Sequence, residues 1–222
     1  MYDLEQELGL SPDGFSPRML FMKIFAVVAK VQLAQQPLWL EGFFLKHGTT
    51  FGHHVTLKQV CYLEEEKIQD VKNRLEAFFR SLSISGHKIK LSFDDLFVDK
   101  DADGLETIMI NANENSILKG LQLGILSSLK PYNDYVNKGT KKYEKNFKPH
   151  ITIASNLNPA QYESVRAELG RDYLCKGVIN EIYLIIADKP GAEEGAKPEN
   201  QTAYRLLQSE RHRQCGPMKN RF

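Results

Sequence analysis

Two short stretches of this chain repeat one pattern. His54-Val55-Thr56-Leu57 and His150-Ile151-Thr152-Ile153 both read His-apolar-Thr-apolar. In a β-strand, successive side chains leave on opposite faces. Extended, each stretch presents an imidazole and a hydroxyl to one face and two branched apolar side chains to the other. Each strand thereby anchors itself in a core while offering polar groups to a groove. Two such strands side by side would surround a small volume with two imidazoles and two hydroxyls. That set suits a phosphate.

The order of elements around the two stretches repeats as well. Residues 1–18 carry Gly9, Ser11, Pro12, Gly14 and Pro17 and read as a loosely ordered lead-in. Residues 20–31 predict a buried strand centred on Ile24-Phe25-Ala26-Val27-Val28. Pro37 interrupts it, residues 38–44 read as an aromatic-rich connector, and residues 46–50 as a turn into the first motif strand. Residues 62–82 have acidic residues in the first turn and Ile68, Val71, Leu75, Phe78 and Phe79 at helical spacing; residues 83–86 end that helix. Residues 88–98 and 106–113 alternate apolar and polar, which predicts a hairpin. A second helix over 115–129 stops at Pro131. A lysine-rich loop, 132–149, delivers the second motif strand. Asn158-Pro159 opens a third helix toward Gly170, a strongly apolar strand spans 178–187, residues 190–202 form a loop, and a last strand spans 203–209. Residues 211–222 are a basic, irregular tail. Strand–helix–strand alternation repeated around each motif implies an α+β fold of two similar α/β lobes.

The paired motifs and this element order resemble the 2H phosphoesterases, among them the 2′–5′ RNA ligase-like proteins and cyclic nucleotide phosphodiesterases. The resemblance covers residues 20–209. It implies antiparallel sheets forming a central groove with helices packed outside, and one bilobal domain over residues 19–210. It also implies catalytic roles for His54, Thr56, His150 and Thr152.

Chemistry at a phosphodiester needs a base for the nucleophile, an acid for the leaving oxygen, and neutralisation of developing phosphoryl charge. Histidine titrates near neutrality, so one imidazole can be neutral while the other is protonated. Two of them perform in-line transfer with no cofactor and no metal, and the threonine hydroxyls can donate to non-bridging oxygens. Which histidine is acid and which is base is open at this level. So is the choice between hydrolysis of a 2′,3′-cyclic phosphate and cleavage of a 2′–5′ linkage. A rival from another class is an RNA-end or nucleotide-binding module of the same fold with little turnover. His53 neighbours His54 but faces the other way on a regular strand, and His47, His87 and His212 lack a partner in the pattern.

The stretch Lys138–Lys148 places five lysines (138, 141, 142, 145 and 148) and a single glutamate beside Tyr143 and Phe147. The second motif follows it directly, and the composition suits a nucleic-acid backbone and a stacked base. Tyr143, Lys145 and Lys148 are the expected substrate contacts there, and Trp39 and Phe51, ahead of the first motif, are candidates to stack a base.

Composition narrows the remaining classes. At 222 residues the chain can bury roughly 70% of its unfolded surface. The net charge of +1 excludes a global basic field, so RNA or a small nucleotide must be met by a local patch, and a short substrate is favoured. Cys61, Cys175 and Cys215 follow no metal or disulfide spacing, which points to a reducing, cytoplasmic location. Without a secretory signal the sequon at Asn200 is incidental. No run of 18 apolar residues predicts a membrane span, and a monomer is expected. Asp99–Gly104 imitates the start of a calcium loop, but its twelfth position is Ile110 where a bidentate glutamate is required.

Overall fold

The computed structural model describes residues 22–48, 50–82, 88–101 and 104–206. The lead-in, the basic tail, residues 83–86 expected to end the first long helix, His87, His212, Cys215 and residues 207–209 of the expected last strand lie outside them. Among the described residues, seven strands form one antiparallel sheet: β1 (Met22–Gln35), β2 (His54–Glu64), β3 (Ile89–Lys100), β4 (Glu106–Ala112), β5 (His150–Leu157), β6 (Cys175–Ala187) and β7 (Gln201–Arg205). Their order is β2-β1-β6-β3-β4-β5, with β7 also paired to β6.

Strand β6 joins the two halves. Its first residues pair with β3, from Cys175 opposite Phe93 to Ile179 opposite Ile89. Its later residues, Glu181 to Ile185, pair with β7 on that same edge. Along its other edge it pairs with β1 throughout. One half is therefore β2-β1-β6-β7 and the other β3-β4-β5, and the sheet coils until its outer strands, β2 and β5, approach each other. Both are motif strands. The outer edge of β2 is covered by residues 134–136: the Tyr62 N–H donates to Asp134 and the Val136 N–H to Val60, which leaves little of that edge open to another chain.

Helices α2 (Ile68–Ser81) and α3 (Ser116–Ser128) cover the convex face. There Val71, Leu75, Leu118, Leu121 and Ile125 join Val55, Leu57, Ile108, Ile110, Ile151 and Ile153 in one core. Asn115 caps α3 by accepting from the Leu118 N–H, and Asn158 with Gln161 forms a reciprocal cap on α5 (Pro159–Arg166). The expected α+β fold with antiparallel sheets and helices outside is the fold observed.

Several local expectations need correction. Residues 38–44 are helical: α1 runs Leu38–His47. Its apolar residues ring the helix, with Leu40 and Phe43 buried and Leu38 and Leu45 exposed, so no single stripe announced it. Residues 62–64 extend β2, and the acidic run forms its end and a 3-10 turn before α2. The lysine-rich segment holds a 3-10 turn and the short α4 (Lys141–Lys145). Likewise α6 (Ala192–Ala196) lies in the expected loop of residues 190–202.

Candidate active site

The two motif strands share one irregularity. On β2, Thr56 lies opposite Val28, Lys58 opposite Val27 and Cys61 opposite Phe25. On β5, Thr152 lies opposite Met109, Ala154 opposite Ile108 and Leu157 opposite Glu106. The same offsets from each histidine mean that each strand slips at the same two places. After the first slip, Leu57 and Lys58 are both buried, as are Ile153 and Ala154. The second turns Gln59-Val60 and Ser155-Asn156 into the groove, re-aiming side chains as bulges do. Asn156 reaches φ 58° there, a left-handed conformation that asparagine tolerates better than most residues.

Each motif histidine is held by its own chain. The His54 Nδ1–H donates to the carbonyl of Gly52 at 2.9 Å, and the His150 Nδ1–H to that of Lys148 at 2.9 Å. A carbonyl only accepts, so in the neutral state Nδ1 carries the hydrogen and Nε2 keeps its lone pair. Gly52 lies at φ +80°, a turn that a side chain would strain. The edge of Phe51 meets the His54 ring at 4.9 Å and 88°.

Burial lowers the pKa of His54; the Gly52 bond opposes this, and the charges of His150 and Lys30 lower it further. Burial also lowers His150, opposed by the Lys148 bond and by Asp99. The surroundings are thus unequal. A cation on β1 disfavours charge on His54, and a carboxylate on β3 favours it on His150.

Two recesses of about 350 Å³ meet at the motifs. The one at His54 is walled by Ile24, Ala26, Val28, Phe51, Ile185 and residues 189–192. The one at His150 is polar, with Asp99, Lys100, Asn137, Thr140, Lys142 and Tyr143. Thr56, Gln59, Thr107 and Thr152 border both. The two motif hydroxyls therefore stand at the waist of one groove.

Of the expected substrate contacts, Phe51 and Tyr143 line this groove, and Lys148 lines an adjoining recess beyond His150. Lys145 lines none of these recesses: on α4 it is exposed beside the buried Glu144. Trp39 packs elsewhere, edge-on to Phe43 and Tyr173, with its Nε1–H donating to Asp172. Its amphipathic ring is consumed by that contact. His53 stacks on Phe44 at 3.8 Å, and burial with the neighbouring His54 pulls its pKa down to about 4. His47 lies 3.0 Å from Glu168. Gln59, Asp99, Thr107 and Asn156 enter the site with no motif to mark them, since strand pairing brings them there, and Lys30 acts on it from outside through its charge on His54. Among the described residues no group of histidine, cysteine, aspartate or glutamate is arranged to hold a metal ion, and no helix is long and apolar enough to cross a membrane.

Residues 46–191, which contain both motifs, match the model of the 2′-5′ RNA ligase superfamily. The chain belongs to that superfamily. As a 2′-5′ RNA ligase superfamily protein, a group of 2H phosphoesterases, it is expected to have a phosphoesterase or RNA-processing activity. Similar solved structures include Kluyveromyces marxianus Usb1, at 12% identity and TM-score 0.45, covering 85% of this chain and 100% of that one. The same protein with uridine monophosphate matches at 11% and 0.45, covering 84% and 99%. A structure described as a phosphoesterase matches at 11% and 0.45, with the same coverage of 84% and 99%. No curated protein sequence matches this superfamily member.

Proposed function

We propose that this protein is a metal-independent phosphodiesterase acting on RNA ends or small nucleotides through paired-histidine acid–base catalysis. One observation carries this: two imidazoles in the same tautomer, each fixed by a backbone carbonyl, border a groove whose waist holds two threonine hydroxyls. His54, beside Lys30, is the base, and His150, beside Asp99, is the acid. Nε2 of neutral His54 takes the proton of the nucleophile as its oxygen bonds to phosphorus. The His150 imidazolium gives its Nε2 proton to the leaving oxygen as the opposite P–O bond breaks. Thr56 and Thr152 donate to the non-bridging oxygens. With water attacking, a 2′,3′-cyclic phosphate opens to a monoester. With a 3′-hydroxyl attacking a 2′–5′ linkage, a 2′,3′-cyclic end and a free 5′-hydroxyl result.

The test is turnover, in EDTA, of a 2′,3′-cyclic mononucleotide and a 2′–5′ diadenylate. His54→Ala and His150→Ala should each lose ~10²-fold or more while chelation leaves the wild type unchanged. A wild type that turns over neither substrate, yet binds a nucleotide in the groove, would establish the binding module instead.

A further inference from the structure

Strand register gives each motif threonine a row of neighbours across its half of the sheet. In one half the row is Thr56, Val28, Tyr183; in the other it is Thr152, Met109, Phe97. An aromatic residue stands third in both rows, with Ala203 beyond Tyr183, but the two rings are used differently. Tyr183 is occupied: Lys30 Nζ sits 4.5 Å from its centroid and its hydroxyl donates to Glu181 at 2.6 Å. Phe97 is 45% exposed, and among the described residues no ring or cation stacks on it. A recess of about 200 Å³ opens over it, shared with Met109, Asn111, Lys142, Tyr143 and Lys148, and it reaches His150.

We propose that this recess is a subsite for one further nucleoside of a single strand, so that the substrate is an oligonucleotide and not a mononucleotide. This rests on the phosphodiesterase function proposed for the groove. Two strand spacings of ~4.8 Å separate the Thr152 and Phe97 backbones by roughly 10 Å. The two recesses bordered by Thr56 and Thr152 are left for the groups on the phosphorus itself, and the recess over Phe97, two strands out, is left for an adjoining nucleotide. The recess is smaller than the ~300–1,000 Å³ typical of whole-ligand pockets, which suits a base alone. An open ring beside lysines is the usual arrangement for single strands, stacking a base and following the backbone. No carboxylate lines the recess itself. The two nearby are engaged, Asp95 by the Asn111 amide and Asp99 by the Tyr143 hydroxyl.

The experiment compares di- and tetra-adenylate of one linkage on wild type and Phe97→Ala. Binding of the tetramer is measured by calorimetry in a His54→Ala/His150→Ala background, with and without Phe97→Ala. Stacking of one base predicts about a tenfold loss of kcat/KM and of affinity for the tetramer on losing Phe97, with the dimer unaffected; the unchanged dimer also reports an intact fold. Tetramer binding at the parent level in Phe97→Ala, or equal losses on both lengths, overturns the subsite. If wild type cleaves neither length but Phe97→Ala still weakens tetramer binding, the subsite stands and the catalytic proposal fails. No binding of either length overturns both.

Discussion

Removing the Glu144 carboxylate should be among the most damaging single changes outside the motifs. Glu144 lies on α4, is 9% exposed, and accepts from Lys58 Nζ at 3.1 Å, from the Gln59 N–H at 2.7 Å and from the Tyr135 hydroxyl at 2.6 Å. Lys58 is fully buried because the slip in β2 turns it inward. Glu144→Ala leaves that ammonium with Asn133 Oδ1 at 3.3 Å and the Tyr135 ring at 4.3 Å, and orphans two further donors. Breaking a buried pair on one side costs roughly 3–5 kcal/mol, a large share of the ~5–15 kcal/mol that stabilises a typical protein. With a urea m-value of ~2–3 kcal/mol/M, the midpoint should fall by more than ~1 M. Lys58→Met should cost less, since the carboxylate keeps its bonds from Gln59 and Tyr135. Activity should fall too in Glu144→Ala that is still folded, because Glu144 pins the segment carrying Tyr143 and Lys148 beside His150. Urea unfolding followed by circular dichroism decides. A Glu144→Ala cost below ~1 kcal/mol, or a Lys58→Met cost as large, would refute the clamp.

The pH profile tests the acid–base assignment: with both histidines lowered, the bell for kcat/KM should centre below their ordinary value of ~6.5. Asp99→Asn removes the charge favouring protonated His150 and should move the basic limb to lower pH; Lys30→Met should move the acidic limb to higher pH, and unchanged limbs would reject the assignment. Thr56→Ala and Thr152→Ala each remove one donor to the phosphoryl oxygens and should lower kcat ~10²–10³-fold, mainly in kcat and not KM by steady-state kinetics. His53 is neutral when folded, with a pKa of about 4, so between pH 4 and 6.5 the unfolded chain binds more protons. Stability should therefore be lost as pH falls from about 6.5 to 4; His53→Phe should flatten part of that slope in urea titrations, and an unaltered slope would exclude His53 as a cause. Asn158→Ala, which removes the cap on α5, should cost ~1 kcal/mol in the same assay.

Much of the fold was legible because local chemistry and final position agree. The apolar residues of 68–79 keep helical spacing and bury Val71 and Leu75, Asn115 and Asn158-Pro159 mark helix starts, and alternation over 88–98 and 106–113 marks a hairpin. Helix α1 escaped because its apolar residues lie on every side, so their spacing carries no direction. The two histidines and two threonines were legible because each strand presents them on one face over three residues, too short a span for twist or slip to intervene. Beyond Thr56 and Thr152 that local rule fails. Strict alternation would put Lys58 in the groove, and the slip buries it against Glu144, which no pattern within β2 announces. Asp99 reaches the groove, and Lys30 and Phe97 its surroundings, through pairing with partners far away in the chain, and such pairing depends on how the whole sheet coils. The sequence by itself determined the two imidazoles, the two hydroxyls and the strands that hold them. Only the tertiary structure decided their neighbours, and with them the unequal charge around the two imidazoles, because electrostatics and burial follow distance in space and not separation along the chain.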